Sequence, residues 1–167
     1  MKISSSGITE GMIHDAYGAK GTDFNENGMA LRSLPIKISD YPEETVCFAL
    51  VMEDKDACPV SGFSWIHWLA ANITTDELEE DASRKRQDFI QGVNSWISIQ
   101  GGEQSPEASS CYGGMAPPDA PHLYETHIFA LDAKLPLENG FYMNELYKAM
   151  EGHILDHGTL KGIYTNG

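Results

Sequence analysis

Two neighbouring apolar runs, 46–52 and 63–71, limit the folds open to this chain more than any other feature of it. The first run is unbroken and holds β-branched and aromatic residues, which favours a strand buried on both faces. In the second run, strict alternation places Trp65, His67 and Leu69 on one face and the residues between them on the other. Both faces of this run are apolar, so both runs are expected to be central strands of a sheet.

Further segments also favour strands and loops. Residues 36–38 alternate as a short strand does, 124–131 predict a third long strand, and 160–164 predict a last short one. Residues 92–121 are rich in Gly, Ser and Pro and have no helical period, so we expect a long loop there. The pattern indicates a mainly β architecture.

Two segments have helical features. Thr75 can cap a helix within 72–91, where acidic residues near the start suit the positive end of the helix dipole. Apolar residues spaced four apart from Leu146 to Ile154 predict an amphipathic helix across 141–156. Helices therefore accompany the strands but do not dominate the fold.

The charge of the chain excludes several classes of partner. The 167 residues suit one domain across 1–167, and they carry a net charge of −14. Such a surface repels the phosphates of nucleic acids and anionic lipids. The basic run 84–86 lies beside the acidic run 79–81, so we interpret it as a solvated face. No nucleic-acid partner and no stable membrane association are expected.

Cysteine spacing and hydropathy bear on the compartment. Cys47, Cys58 and Cys111 are odd in number and form no Cys-x-x-Cys pair, which argues against a disulfide framework and a structural zinc site. No secretory signal pattern follows the first residues, and no window approaches the apolar length of a membrane span. We expect a reduced, cytoplasmic protein without a cofactor.

Two polar groups interrupt the strand pattern. Asp54 and Asp56 follow the first apolar run and share a face if the strand continues, so they could hold a metal or orient a histidine. Acidic residues at a strand end are also common without any such role. His67 lies between Trp65 and Trp68, where it serves either as a core residue with satisfied ring nitrogens or as a donor to an anion.

Two more groups follow in the loop region and the third long strand. The glycine before the prolines, Gly114, lets a backbone approach a ligand closely, and Pro117 stiffens the turn after it. His122 and Tyr124 share one face of an extended chain, and both side chains donate hydrogen bonds to anionic oxygens. Each of these groups alone is weak evidence, because ordinary turns and buried side chains have the same composition.

Taken in order, these groups resemble the phosphatidylethanolamine-binding protein family, in its bacterial Raf-kinase-inhibitor-like branch. The family's first motif is Asp-Pro-Asp-Ala-Pro followed by Trp-x-His-Trp, which this chain resembles at 54–59 and 65–68. The second is Gly-Pro-x-Pro-Pro, then His-x-Tyr and an Ala-Leu-Asp end, resembled at 114–124 and 130–132. The likeness spans about residues 33–167.

This chain departs from the family pattern around the implied pocket. Lys55, Cys58 and Met115 stand where the family has prolines. The stretch 94–110 is longer than is usual in the family and could cover the mouth of the pocket. These changes are expected to alter the shape of the pocket, and with it the ligand.

The resemblance implies a fold and a set of ligand-binding residues. The fold is a large antiparallel β-sheet packed on a smaller sheet, with a C-terminal helix, to which the sequence pattern adds one further helix. His67 and His122 would donate to an anion, Gly114 would offer its backbone N–H, and Asp54 would orient a histidine. Carried over to this chain, the ligand-binding residues are Asp54, Asp56, Trp65, His67, Gly114, Pro117, His122 and Tyr124.

Three functions follow from the resemblance and the residues. The leading one is a non-enzymatic binding protein for a small anionic, phosphate-bearing ligand. The second is a regulator that acts as kinase or protease inhibitors of the family do, in which an unidentified protein partner contacts 92–121. The third is a metal-dependent hydrolase that uses Asp54, Asp56, His67 and His122. The resemblance also suggests a homodimer.

Overall fold

The computed structural model describes all residues from 1 to 167 and contains ten strands and four short helices. The strands are β1 (Lys2–Ser4), β2 (Ile8–Thr9), β3 (Met12–Ile13), β4 (Ile36–Ser39), β5 (Cys47–Asp54), β6 (Trp65–Ile73), β7 (Glu77–Leu78), β8 (Ile90–Gly92), β9 (His122–Leu131) and β10 (Ile154–Tyr164). The helices are α1 (Cys58–Ser61), α2 (Ala82–Lys85), α3 (Pro106–Ser109) and α4 (Met143–Met150).

The strands form two sheets. Seven of them make a large sheet in the order β2-β3-β10-β9-β5-β6-β8, and the small sheet has the order β1-β4-β7. All neighbouring strands are antiparallel except β3 and β10, which run parallel. The mainly β architecture with a large and a smaller sheet is therefore confirmed.

Strand β5 is buried on both faces, as its unbroken apolar run predicts. Phe48, Leu50 and Met52 belong to a core cluster of 20 residues that also contains Ile36 and Ile38 of the small sheet. The alternate β5 residues Cys47, Ala49 and Val51 belong to a second cluster of ten residues on the opposite face, together with Leu146 and Met150 of α4. The large sheet therefore lies between the small sheet and the C-terminal helix.

The C-terminal helix is shorter than the sequence predicts, and the strand after it is longer. Helix α4 ends at Met150, and Gly152 follows with a φ of +81°, a conformation that turns the chain out of a helix. The apolar spacing predicts a helix that continues to Ile154, but Ile154 is the first residue of β10 and its side chain is exposed. None of the helices has the length and apolarity needed to span a bilayer.

The helix predicted within 72–91 is wrong over most of its length. Only the four residues of α2 are helical, while β7 and β8 occupy other parts of the segment. The Thr75 hydroxyl donates to the Glu77 carbonyl in a turn and caps no helix. Leu78 pairs with Ile36 and is buried, so packing against the small sheet overrides the local helical preference.

The basic run 84–86, at the end of α2, is neutralised by its neighbours. Arg84 forms ion pairs with Asp81 and Asp23, and Arg86 forms one with Asp88. These positive charges are thus shared with nearby carboxylates, which leaves no unpaired arginine in this run.

The first strands of the chain pack on its last one. Met12 of β3 pairs in parallel with Ile163 of β10, and the N–H of Ile163 donates to the Gly11 carbonyl. Strand β10 also pairs antiparallel with β9 along most of its length. The large sheet is therefore completed by segments about 150 residues apart in the chain.

Candidate functional site

A pocket of about 260 Å³ lies where the three central strands begin or end. Asp54 is the last residue of β5, Trp65 is the first of β6, and His122 is the first of β9. The antiparallel register places Asp54 opposite both Trp65 and Tyr124. Six of the eight predicted ligand-binding residues line this pocket: Asp54, Trp65, His67, Pro117, His122 and Tyr124.

The other two predicted residues lie outside the pocket wall. The Asp56 carboxylate accepts a hydrogen bond of 2.9 Å from the backbone N–H of Leu123, which ties the turn after β5 to the start of β9. The Gly114 N–H donates to the Ala30 carbonyl at 2.8 Å and is not available to an anion. A Cβ at Gly114 would lie 2.4 Å from the Tyr17 carbonyl oxygen, so close backbone packing requires a glycine there. Both residues thus make structural contacts within the protein, and the Gly114 N–H is already engaged by one of them.

His67 is the extra residue of a β-bulge in β6. Two successive residues of β5 pair with Trp68 and Ile66, which leaves His67 between them without an opposite partner. The bulge interrupts the alternation of side chains along β6. Trp68 therefore belongs to the cluster between the sheets, whereas Ile66, two residues earlier, packs against the cluster under α4, as Leu69 does. The expectation that His67 and Leu69 share a face is wrong for this reason.

The ring of His67 is held by one residue of the glycine turn. Its Nδ1 lies 2.7 Å from the Gly113 carbonyl oxygen, and the Gly113 N–H donates to the His67 carbonyl at 2.8 Å. A carbonyl can only accept, so Nδ1 carries a proton. Burial lowers the pKa of His67 to about 4, so the ring is neutral near neutral pH.

This tautomer changes what His67 can offer a ligand. With the single proton on Nδ1, the other ring nitrogen, Nε2, carries a lone pair and acts as an acceptor. Nε2 makes no hydrogen bond within the protein. The predicted donation from His67 to an anion therefore requires a second proton on the ring or a ligand that brings one.

His122 differs because carboxylates bind both of its ring nitrogens. Nδ1 lies 2.7 Å from Asp54 Oδ2, and Nε2 lies 2.8 Å from Asp119 Oδ1. Burial opposes the charged ring, but the hydrogen bonds to these two carboxylates outweigh it and raise the pKa of His122. The same contact with His122 lowers the pKa of Asp119. The arrangement favours an imidazolium that donates to both acids.

Three buried polar atoms on the pocket wall have no hydrogen-bond partner. They are Asp54 Oδ1, Trp65 Nε1 and the Tyr124 hydroxyl, and they are three of the five such side-chain atoms in the chain. Burial, the charge of Asp54 and a side-chain interaction with Asp54 that falls short of hydrogen-bond geometry raise the pKa of Tyr124, so its hydroxyl stays protonated. Unsatisfied buried polar groups are rare in folded proteins. Their concentration at one pocket makes its wall rich in donor and acceptor atoms.

Aromatic side chains form one wall of the pocket. Trp65 stacks on Phe63 and meets Trp96 edge-on, with ring centroids 5.2 Å apart. Trp96 also meets the His67 ring edge-on at 5.3 Å. The carboxamide of Asn94 accepts a hydrogen bond from the Trp96 N–H, which fixes the short 3₁₀ turn that carries Trp96. This wall is suited to an apolar part of a ligand.

The long segment 94–110 lies at the pocket, as expected from its length. Trp96 and Gln100 contribute to the wall, and the Gln100 amide donates to the Ser61 carbonyl at 3.2 Å. This bond joins the segment to the end of α1 across the pocket.

Sequence reasoning missed several residues that matter here. Gly113, not Gly114, binds His67, and Trp96 enters from a segment whose composition predicts only a loop. Asp119 lies three residues before His122 in a proline-rich turn, close enough in sequence for its carboxylate to reach the ring. A residue whose role depends on a single tertiary contact leaves no periodic pattern in the sequence.

The potential metal ligands lie elsewhere. Glu53, Glu125 and His127 place one ligand atom each within 4.8 Å of one another, and none of them is among the predicted metal-binding residues. Lys55 and Lys161 form ion pairs with Glu125, so the cluster already has cations that balance its carboxylates. The four residues of the hydrolase hypothesis do not form such a group.

Comparison with known proteins gives relatives over nearly the whole chain. The chain is 46% identical over 147 residues to the uncharacterised protein YxkA of Bacillus subtilis, which covers 86% of this chain and 88% of that protein. It is 36% identical over 168 residues to a UPF0098 protein of Chlamydia muridarum, with 98% of both chains covered.

Solved structures show the same architecture. A putative phosphatidylethanolamine-binding protein homologue from Chlamydia trachomatis, CT736, matches with a TM-score of 0.79 and 29% identity over 99% of this chain and 97% of that one. Escherichia coli YbcL, described as a member of the mammalian PEBP family, matches with a TM-score of 0.76 over 99% and 98% of the two chains. At 23% identity, this match bears on the fold alone.

A family model covers almost every element described above. The model of the phosphatidylethanolamine-binding protein family matches residues 4–165, which include all three central strands and the whole pocket wall. The match agrees with the two-sheet fold, and by this evidence the chain belongs to the phosphatidylethanolamine-binding protein family.

Proposed function

We propose that this protein is a non-enzymatic binding protein whose pocket accepts a small, phosphate-bearing ligand. The observation that carries the proposal is the set of unpartnered polar atoms on Asp54, Trp65 and Tyr124 beside the ring of His122, whose pKa the adjacent carboxylates raise. Trp65 Nε1–H and the Tyr124 hydroxyl are donors for phosphate oxygens, and Asp54 Oδ1 is an acceptor for a donor group on the ligand. A pocket of about 260 Å³ accommodates a small head group.

The chemistry of the wall supports binding more than catalysis. A nucleophilic mechanism needs a hydroxyl or thiol within hydrogen-bond reach of a base. The single proton of the Ser61 hydroxyl is directed at the carbonyls of Ala57 and Phe63, and neither His67 nor His122 forms a hydrogen bond with a serine or cysteine. The one free basic nitrogen, His67 Nε2, thus has no nucleophile to activate.

We also propose that the protein is located in the cytoplasm. All three cysteines are free, and burial raises the pKa of both Cys47 and Cys111, which keeps these two thiols protonated. Free thiols suit the reducing conditions of the cytoplasm.

Calorimetric titration tests the proposal directly. The wild type is titrated with inorganic phosphate and with phosphoethanolamine in metal-free buffer, beside Trp65→Phe, which keeps an aromatic wall but removes the indole N–H. His67→Ala is a second pocket variant, and His157→Ala, at an exposed position on β10, is the control. Circular dichroism establishes that each variant is folded.

We expect saturable binding to the wild type and to His157→Ala. Trp65→Phe should weaken binding about ten- to hundredfold, because a hydrogen bond to a charged group contributes about 1.5–3 kcal/mol. Absence of saturable binding to the folded wild type would reject the proposal and shift attention to a protein partner.

A further inference from the structure

The proline-rich turn before β9 carries a carboxylate into the position where an anionic ligand would meet His122. Asp119 Oδ1 lies 2.8 Å from His122 Nε2, and the other nitrogen of the ring is taken by Asp54. His122 therefore has no free N–H to offer. An incoming phosphate can bind this imidazolium only after one of the two carboxylates has left.

The two carboxylates differ in how easily they can move. The Asp54 side chain is 5% exposed and lies at the end of a central strand, whereas the Asp119 side chain is 56% exposed. Pro118 and Pro121 flank the Asp119 turn and restrict its backbone, so release needs only rotation of the side chain. A released Asp119 would enter water, where its charge is solvated and screened. Asp119 is thus the partner that an anion displaces.

The charges in the pocket also indicate that Asp119 is the carboxylate that an anion displaces. Asp54 and Asp119 place two carboxylates against one imidazolium, while the ring of His67 is neutral near neutral pH. A dianion entering this arrangement meets a net negative site. Rotation of Asp119 into solvent removes one negative charge and frees one N–H donor at the same time.

We infer that Asp119 competes with anionic ligands for His122 and so limits the affinity of the pocket for anions. The inference rests on the proposed function, since it concerns the same pocket and the same class of ligand. It differs from an orienting role for Asp119, because an orienting residue strengthens ligand binding whereas a competitor weakens it. Removal of the Asp119 charge should therefore improve the affinity for phosphate.

Asp119→Asn tests the inference with little change in shape. Asp132→Asn is the matched control, because Asp132 also accepts a hydrogen bond of 2.8 Å from an exposed histidine, His153, and lies beyond the opposite end of β9. Both variants remove one negative charge from a protein of net charge −14, so their comparison cancels the overall electrostatic effect. Calorimetry with inorganic phosphate gives the affinities of the wild type and the two variants.

We expect Asp119→Asn to bind phosphate about tenfold more tightly than the wild type, the size of effect that a charge-assisted hydrogen bond carries. Asp132→Asn should stay within about twofold, because exposed charges far from the site are screened. Equal or weaker binding by Asp119→Asn, beside a wild type that does bind, would overturn the inference and leave the proposed function standing. No binding by any of the three proteins would overturn both.

A ligand-free measurement shows whether the contact exists in solution. The groups that face His122 are Asp54 from β5, His67 from β6, Tyr124 from β9 and Asp119 itself. Nitrogen-15 NMR of the His122 ring should show a lower pKa in Asp119→Asn than in the wild type, and no change in Asp132→Asn. An unchanged His122 pKa in Asp119→Asn would overturn the inference without any use of phosphate.

Discussion

The two histidines of the pocket show how neighbouring sites in one wall acquire opposite charge states. His67 and His122 are both 3% exposed, and they lie on the two strands that flank β5. The ring of His67 donates to a backbone carbonyl, and burial lowers its pKa to about 4. The ring of His122 donates to two carboxylates, which raise its pKa despite burial. The charge of the partner, and not burial alone, decides the state of the ring.

The largest effect is expected from removing the inner carboxylate of His122. Asp54→Ala would leave a buried imidazolium without its buried partner, and such a loss costs about 3–5 kcal/mol in the free energy of unfolding. Urea denaturation at pH 7 measures it. Asp132→Ala, which removes an exposed carboxylate from an exposed histidine, should change the stability little. Equal stability of the wild type and Asp54→Ala would show that His122 is not charged in the folded protein.

His67 and His122 should make contributions of opposite sign to the pH dependence of the free energy of unfolding. The unfolded chain protonates His67 near its reference pKa of about 6.5. The folded chain does so only near pH 4, so the unfolded state binds more protons between these values. His67 should therefore cost the wild type about 3 kcal/mol of unfolding free energy as the pH falls from 6.5 to 4.

For His122 the sign is reversed. Its raised pKa stabilises the fold fully below about pH 6.5, and this contribution is lost as the pH rises through the folded value. Urea titrations from pH 4 to 8 should show a shallower acid limb for His67→Gln than for the wild type. His122→Gln should instead lose stability mainly at the acid end, and His157→Gln should follow the wild-type curve. An acid limb unchanged in His67→Gln would contradict the neutral, buried state of that ring.

A single methyl group should disturb the His67 side of the pocket alone. In Gly113→Ala the new Cβ would lie 2.6 Å from the Trp96 ring and 2.9 Å from the Met29 sulfur, distances that force a rearrangement. Overpacking of this kind costs about 1–3 kcal/mol, measured by thermal or urea unfolding. In NMR spectra the ring signals of His67 should shift while those of His122 stay in place. Shifts of equal size at both rings would show that the two sides are coupled.

The smallest expected effect is a change in the affinity for an anion with pH. Sulfate keeps its charge between pH 6.5 and 7.5, so any pH dependence of its affinity comes from the protein. Because His67 must gain a proton before Nε2 can donate, sulfate binding should tighten by up to about tenfold over this fall in pH. Trp65→Phe should weaken binding at both pH values while preserving that slope. A pH-independent affinity in the wild type would mean that His67 does not contact the anion.

The sequence predicts the centre of the fold well because burial leaves a periodic pattern. The run 46–52 becomes the doubly buried β5, and the family motifs bring six residues to one pocket. Sequence periodicity does not predict the structure where a bulge adds a residue to a strand or where tertiary packing overrides the local preference. The bulge at His67 breaks the alternation of β6, and the pairing of Leu78 with Ile36 replaces a predicted helix by a strand.

The electrostatics of the site could not be predicted from residue types. His67 and His122 were both expected to donate to an anion, but their partners come from distant parts of the chain. Gly113 lies 46 residues from His67, and Asp54 lies 68 residues from His122. Asp119 is close in sequence, but only the conformation of the proline-rich turn aims its carboxylate at the ring.

The pairing of β3 with β10 has a consequence for how the protein forms on the ribosome. The central strands β5, β6 and β9 emerge from the ribosome before β10, because all three precede residue 132. The early strands β2 and β3 must wait for β10, which supplies their neighbour in the sheet some 150 residues later. Contacts so distant in sequence slow folding. The nascent chain therefore holds an open sheet edge along β9 until translation delivers β10, and this interval is when it is most exposed to aggregation and to chaperones.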